Sequence, residues 1–190
     1  MKPERKRTLA ETDLGERLAA EPDAGGTRLS AWQLRLAVVR HHRLVYRVAQ
    51  SLLGDPHEAE DVAQEAFLRL WQHGGGVRAK KEWLLTVTRN LCLDRFRKTR
   101  STLVAEPEAI EQRSEEKGPA WHFDQRELAT RLQALVSTLP EPQRSLVVLF
   151  DVHGLDGAAC ARILGLSTTQ VKVYLHRARR RLRRALETSS

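Results

Sequence analysis

From Ser30 onward, apolar and polar positions recur with the period of a helix. Leu34, Val38, Leu44, Val45, Val48 and Leu52 predict one or two helices closing at Gly54. Asp55 then reads as an N-cap, with Pro56 at the first helical position and Glu58 near the positive end of the dipole. Behind it Ala59, Val62, Ala63, Ala66, Phe67 and Leu70 share one helix face, and Gly74-Gly75-Gly76 ends that helix. A third helix is predicted from about Lys80 to Lys98, with Trp83, Leu84, Val87, Leu91 and Phe96 turned inward. The period is lost over residues 101–122, where Glu106, Pro107, Glu108, Glu111, Glu115, Glu116, Gly118 and Pro119 mark an acidic linker too polar to bury.

Four further helices follow. Asp124 with Glu127 forms a capping box for the first, and Pro140-Glu141-Pro142 separates it from a second that carries Leu146, Val147, Leu149 and Phe150 and ends near Gly154. Asp156 caps a short helix through Leu164, closed by Gly165, and Ser167 with Gln170 opens a long basic one. The chain therefore reads as all-α: a loosely ordered tail (1–29), a helical domain (30–100), a flexible acidic linker (101–123) and a second helical domain (124–190).

Composition agrees, with 41% hydrophobic but only 5% aromatic residues and few β-branched clusters, and charge adds a direction. The net charge is +8, which calls for a polyanionic partner, nucleic acid or an anionic membrane surface. Its distribution is lopsided. From Arg162 to the end, eight bases (Arg162, Lys172, Arg177, Arg179, Arg180, Arg181, Arg183 and Arg184) face the single acid Glu187, whereas Asp55 to Glu65 is acidic. Cys92 and Cys160 sit in apolar helical patterns and form no C-x-x-C pair, so they read as buried structural thiols. No signal peptide follows the charged start and no run reaches the ~18 apolar residues of a spanning helix, so a cytoplasmic protein without membrane insertion is expected.

The segment Asp156–Arg184 carries the most specific chemistry. A short helix, a tight turn at Gly165-Leu166 and a capped second helix have the length and punctuation of a helix-turn-helix. Thr168, Thr169, Gln170, Lys172 and Val173 stand where side chains reach base edges in a major groove, and Arg177, Arg179 and Arg180 where phosphates pass. A solvated arginine-rich helix would not need the capped turn as well. In the second segment, Asp55–Trp71, the acids Glu58, Asp61 and Glu65 fall on one stripe. Carboxylates crowded on one helix with no converging second set make a poor metal site, and a charged docking face for a basic helix suits them better.

Together, Asp55–Trp71, Glu82–Arg95, Leu139-Pro140-Glu141-Pro142-Gln143-Arg144 and Val171–Arg179 resemble the extracytoplasmic-function sigma factors of bacterial RNA polymerase, over about residues 35–187. The resemblance implies a specificity subunit without catalysis or cofactor. Its first domain would bind core polymerase and the promoter −10 element, and its second would read the −35 element. It places Asp61, Gln64 and Glu65 against the clamp helices of the largest subunit, and a flipped-base pocket near His73–Lys81. Lys80, Lys81, Arg89, Asn90, Arg95 and Arg97 would hold the displaced strand. Ser167, Thr168, Thr169, Gln170, Lys172, Val173, Arg177, Arg179 and Arg180 would meet the −35 duplex. An anti-sigma factor is a further implied partner. The linker glutamates suit either a mimic of RNA charge or a solvated tether. Gly157-Ala158-Ala159-Cys160-Ala161 departs from the family, which usually carries acids and an isoleucine there. A free-standing helix-turn-helix regulator is the main rival reading, and it leaves the Asp61–Glu65 face unexplained. A metal-dependent nuclease is the rival from another class.

Overall fold

The computed structural model describes residues 28–105 and 131–188, and every regular element among them is helical. Helix α1, Ala31–Leu53, begins with a reciprocal cap: the Ser30 hydroxyl accepts from the Gln33 N–H, and the Gln33 side chain accepts from the Ser30 N–H. It is one helix, and it stops at Gly54, whose φ of +83° suits glycine alone. Helix α2, Pro56–His73, starts where expected, with the Asp55 carboxylate accepting from the Glu58 N–H at 2.8 Å. The three glycines form a 3₁₀ turn, Gly74–Gly76, before α3, Lys80–Ala105. Helix α3 outruns its expected end at Lys98 by about two turns and enters the segment read as linker. The N-terminal tail through residue 27, the linker glutamates Glu106, Glu108, Glu111, Glu115 and Glu116, and the Asp124–Glu127 capping box lie outside the described residues.

In the second half α4 occupies residues 131–137. Helix α5, Gln143–Leu146, widens at once into a π-helical turn, Val147–Val152. The His153 N–H there reaches the Val148 carbonyl at 3.0 Å, so the single helix expected up to Gly154 is a composite of two windings. Helices α6, Gly157–Leu164, and α7, Thr168–Thr188, complete the chain.

Apolar faces explain how these elements stack. Helices α1, α2 and α3 close on Ala37, Val45, Ala63, Ala66, Phe67, Leu70 and Leu84, with Trp83 packed against that cluster. A second cluster crosses from one half of the chain to the other. Val48, Leu52, Val62, Leu85 and Cys92 of α1–α3 are buried together with Leu146, Leu149, Cys160, Ile163, Leu164 and Val171. The two halves distinguished in the sequence thus share a hydrophobic core, which the hydrophobic period of either half alone does not reveal. Polar contacts stitch the seam. The Gln133 amide donates to the Gln50 carbonyl at 3.2 Å beside Gly54, and the Thr86 hydroxyl to the Ile163 carbonyl at 3.5 Å. Ser51 and His153 pair at 3.1 Å, and Arg162 meets Glu82 at 3.3 Å. Both cysteines are buried and unbridged as read from the sequence, and burial pushes their thiols up, Cys92 to about 12 and Cys160 to about 11, so neither is a nucleophile at neutral pH. No helix among the described residues is long and apolar enough to cross a membrane.

The seam carries a pH dependence. Burial, and then the positive charge of Arg47, hold the His153 imidazole below its ordinary value of 6.5, while a hydrogen bond to the Arg47 backbone acts weakly the other way. The packed form therefore prefers neutral His153. Its contribution is complete above the ordinary imidazole value and is lost as pH falls through the lower packed-state value. Thermal unfolding followed from about pH 8 to about pH 5 is expected to show acid destabilisation that shrinks in His153→Gln. An identical pH profile in that variant would refute the assignment.

Candidate nucleic-acid and docking interfaces

The helix-turn-helix is set by three local devices. The Asp156 carboxylate accepts from the Ala159 N–H at 2.7 Å and fixes the start of α6. That bond holds its carboxyl below the usual range; desolvation opposes it, and the Ala158 N–H and the charges of Arg162 and Lys81 add to the lowering. Gly165, at φ +63°, then turns the chain, and the Leu166 N–H reaches back to Ala161 at 2.9 Å. The capping box read from the sequence is present: the Ser167 hydroxyl accepts from the Gln170 N–H at 3.1 Å, and the Gln170 side chain accepts from the Ser167 N–H at 2.8 Å. Val171, Leu175 and Ala178 are buried, which turns the opposite face of α7 outward.

On that outer face Ser167, Thr168, Thr169, Gln170, Lys172, Val173, Arg177, Arg179 and Arg180 are all exposed. At about 100° per residue they form two adjoining stripes. Thr168, Lys172 and Arg179 fall on one, Thr169, Val173 and Arg180 on the next, and Arg177 lies farther round. Arg179 differs from its neighbours. Its guanidinium is paired with Asp151, which raises its pKa, and lies 5.7 Å from the centre of the Phe150 ring. It ties α7 to the π-helical turn, so its charge is already partly met. Between Lys172 and Arg179 stands exposed His176, which lines an open groove with Phe150, Gly157, Ala158 and Thr168. Sequence reasoning passed over His176, although its four-residue spacing from Lys172 was the available signal.

The acidic face of α2 is equally local. Asp61, Gln64 and Glu65 border one shallow depression with Leu68 and Arg95. Asp61 is well exposed, and Glu65 holds Arg69 one turn on at 2.8 Å. Arg95, expected to hold a DNA strand, approaches Glu58 at 3.5 Å and Asp61 at 3.8 Å instead, and so rims the acidic patch.

The other strand-holding candidates are strung along α3 rather than gathered into one pocket. Lys80 and Arg97 are about 25 Å apart along the axis at 1.5 Å per residue. Lys80 donates to the Val77 carbonyl at 3.0 Å, Lys81 is exposed, and Arg97 pairs with Asp94 at 3.1 Å. Arg89 donates to Asn90 at 3.3 Å but is mostly buried at the seam, where it meets Ser145 and Glu141. Among the described residues no group of three or more His, Cys, Asp or Glu side chains is placed to hold a metal ion.

Comparison with known proteins places both halves of the chain in one family. Residues 37–102 match sigma-70 region 2, and residues 129–182 match sigma-70 region 4. SigM of Mycobacterium tuberculosis, an ECF RNA polymerase sigma factor, is 33% identical over 150 residues, 77% of this chain and 74% of its own. The chain belongs to the ECF RNA polymerase sigma factors. SigW of Bacillus subtilis is 30% identical over 154 residues, 75% of this chain and 82% of its own. SigE of Mycolicibacterium smegmatis is 33% identical over 165 residues, and there the chain spans 64% of the relative's length.

Two solved complexes share the fold. CnrH with the cytosolic domain of CnrY superposes with a TM-score of 0.64 at 22% identity, over 94% of this chain and 100% of that one. RpoE of Bartonella quintana with the anti-sigma factor NepR gives 0.65 at 21%, over 83% and 99%. In this sigma factor the region 2 match contains α2 with its acidic patch and most of α3, and the region 4 match contains the whole of α6 and the exposed start of α7.

The unequal states of the α7 bases can be read in solution. Binding of the full-length sigma factor to duplex DNA is expected to weaken with salt, and Arg180→Ala should lower the slope of log affinity against log salt by about 0.9. Arg179→Ala should lower it by less, because Asp151 already engages that guanidinium. Equal slopes for the two variants would show that Arg179 leaves Asp151 for phosphate.

Proposed function

We propose that this chain directs RNA polymerase core to specific promoters, reading the −35 element as duplex and opening the −10 element for initiation. The observation that carries the reading is the pairing, in one chain, of an exposed carboxylate face on α2 with an exposed basic recognition face on α7. A protein that only bound DNA would need the second face alone. In this reading Asp61, Gln64 and Glu65 meet the clamp helices of the largest polymerase subunit. Thr168, Thr169, Gln170, Lys172 and Val173 read base edges, while Arg177 and Arg180 neutralise phosphates. Lys80, Lys81, Arg89 and Asn90 hold the displaced −10 strand. All the chemistry of RNA synthesis stays with the polymerase.

A dedicated anti-sigma factor is part of the proposal. The solved relatives CnrH and RpoE were captured with CnrY and with the anti-sigma factor NepR respectively. The fold shared with both supports a regulator of the same kind for this chain.

Reconstitution with purified bacterial core polymerase, followed by mapping of transcript starts, tests the reading. Starts at defined promoters that depend on the added chain are expected, and their absence would leave only a helix-turn-helix DNA binder. Asp61→Ala combined with Glu65→Ala should reduce core affinity about tenfold or more, each tenfold being about 1.4 kcal/mol, while duplex binding is retained. Unchanged holoenzyme affinity in the double variant would remove the docking assignment.

A further inference from the structure

One face of the molecule belongs to neither interface described above. Among the exposed large hydrophobic side chains, Leu68 borders the acidic depression and Val173 the recognition stripe, whereas Trp32, Leu36 and Val39 share the outer side of α1 at 67%, 53% and 78% exposure. At about 100° per residue these three and Arg43 fall within about 60° of one another, opposite the buried Ala37, Val45 and Val48. Arg35, Arg40 and Arg47 are also exposed and border the stripe. Among the described residues no carboxylate pairs with Arg35, Arg40 or Arg43. A contiguous apolar patch rimmed by unmatched positive charge marks a surface that an acidic, apolar-bearing segment covers.

The chain itself carries such a segment. Between Thr8 and Asp23, Leu9, Leu14 and Leu18 are interspersed with five acids, Glu11, Asp13, Glu16, Glu21 and Asp23, against the single base Arg17. It is tethered at the right place. Leu29 is buried, its N–H donates to the Trp71 carbonyl at 3.1 Å, and the Arg28 guanidinium lies 5.4 Å from the centre of the Trp71 ring. The N-terminal segment therefore joins the folded body at the end of α1 that bears Trp32. Trp32 and Val39 are about 10 Å apart along the axis, and the roughly ten residues from Leu18 to Arg28 reach about 33 Å when extended. The acidic linker is the other segment of suitable charge. It rejoins the described chain at residue 131, where Gln133 meets the Gln50 carbonyl, about 27 Å along α1 from Trp32. A second copy of the chain would set arginine against arginine.

We propose that residues 8–23 dock on the outer face of α1 in the same molecule, with their leucines over Trp32, Leu36 and Val39 and their acids toward the flanking arginines. The docked segment adds a layer to the first helical half, on the side of α1 that α2 and α3 leave open. The contact is independent of promoter reading, so transcript mapping and the measurement below fail or succeed separately.

Fluorine NMR of the full-length chain carrying 5-fluorotryptophan reports on each of its four tryptophans, and Trp32→Phe identifies the Trp32 signal. Solvent exposure is read from the change of each signal between H2O and D2O, with Trp83, packed in the core of the first half, as the control for an intact fold. In the unaltered chain the Trp32 signal is expected to be shielded. Leu9→Ser, Leu14→Ser and Leu18→Ser together should expose it, and so should Arg40→Glu with Arg43→Glu. Adding Glu11→Arg and Glu16→Arg to that charge reversal should restore the shielding, since the two sets of charges are then exchanged. A Trp32 signal equally exposed in the unaltered chain and the leucine variant would overturn the proposal. Shielding that appears only as the chain concentration rises would give the face to a second copy and overturn it as well. Loss of shielding that the compensating charges fail to restore would overturn the choice of residues 8–23 as the occupant.

Discussion

The arrangement depends on burial at one seam. Helices α1, α2 and α3 bring Leu52, Val62, Leu85 and Cys92 to a cluster that the second half completes with Leu146, Leu149 and Ile163. Neither half is large enough to bury these groups alone, and small helical units are marginal for that reason. Apolar burial is non-directional, however, and fixes no register by itself. Register comes from the polar groups set along the seam, among them Gln133 at the Gln50 carbonyl, Ser51 at His153, Thr86 at the Ile163 carbonyl and Arg89 at Ser145. Each sits where a shift of one helical turn would leave it without its partner.

This dependence explains the segment that departs from the family. Gly157-Ala158-Ala159-Cys160-Ala161 stands where the family usually carries acids and an isoleucine. In the folded chain Ala159, Cys160 and Ala161 are buried in the shared core, and small side chains there let α6 approach α3 closely enough for Thr86 to reach the backbone of Ile163. Acidic side chains at these positions would have to be desolvated or would hold the helices apart. The departure therefore concerns how the halves pack, and the base-reading start of α7 is untouched by it.

Much of this was legible in the residues. Caps at Asp55, Asp156 and Ser167, and breaks at Gly54 and Gly165, are local chemistry, and all five stand where the sequence put them. The exposed recognition stripe of α7 followed from its period. What escaped depends on pairing between distant segments. That Arg179 is held by Asp151, that Arg95 rims the Asp61 patch, and that Arg89 turns into the seam are facts about neighbours 28 to 56 positions away, and helical period carries no record of them. The winding of Val147–Val152 escaped for another reason, since an apolar run of that length reads alike as an α or a π turn.

The three arginines also show why counting charge overstates the free basic surface. Of the groups that give the chain its net charge of +8, Arg179, Arg95 and Arg89 are each held against a carboxylate, and only Arg89 is substantially desolvated as well. In an exposed pair such as Arg179–Asp151 the carboxylate offsets the guanidinium charge while both groups stay in contact with solvent and salt. A buried pair cannot exchange in place, because the incoming phosphate would have to enter the seam. Salt therefore modulates the α7 face continuously, whereas the burial of Arg89 between Ser145 and Glu141 shields its pair from the same screening.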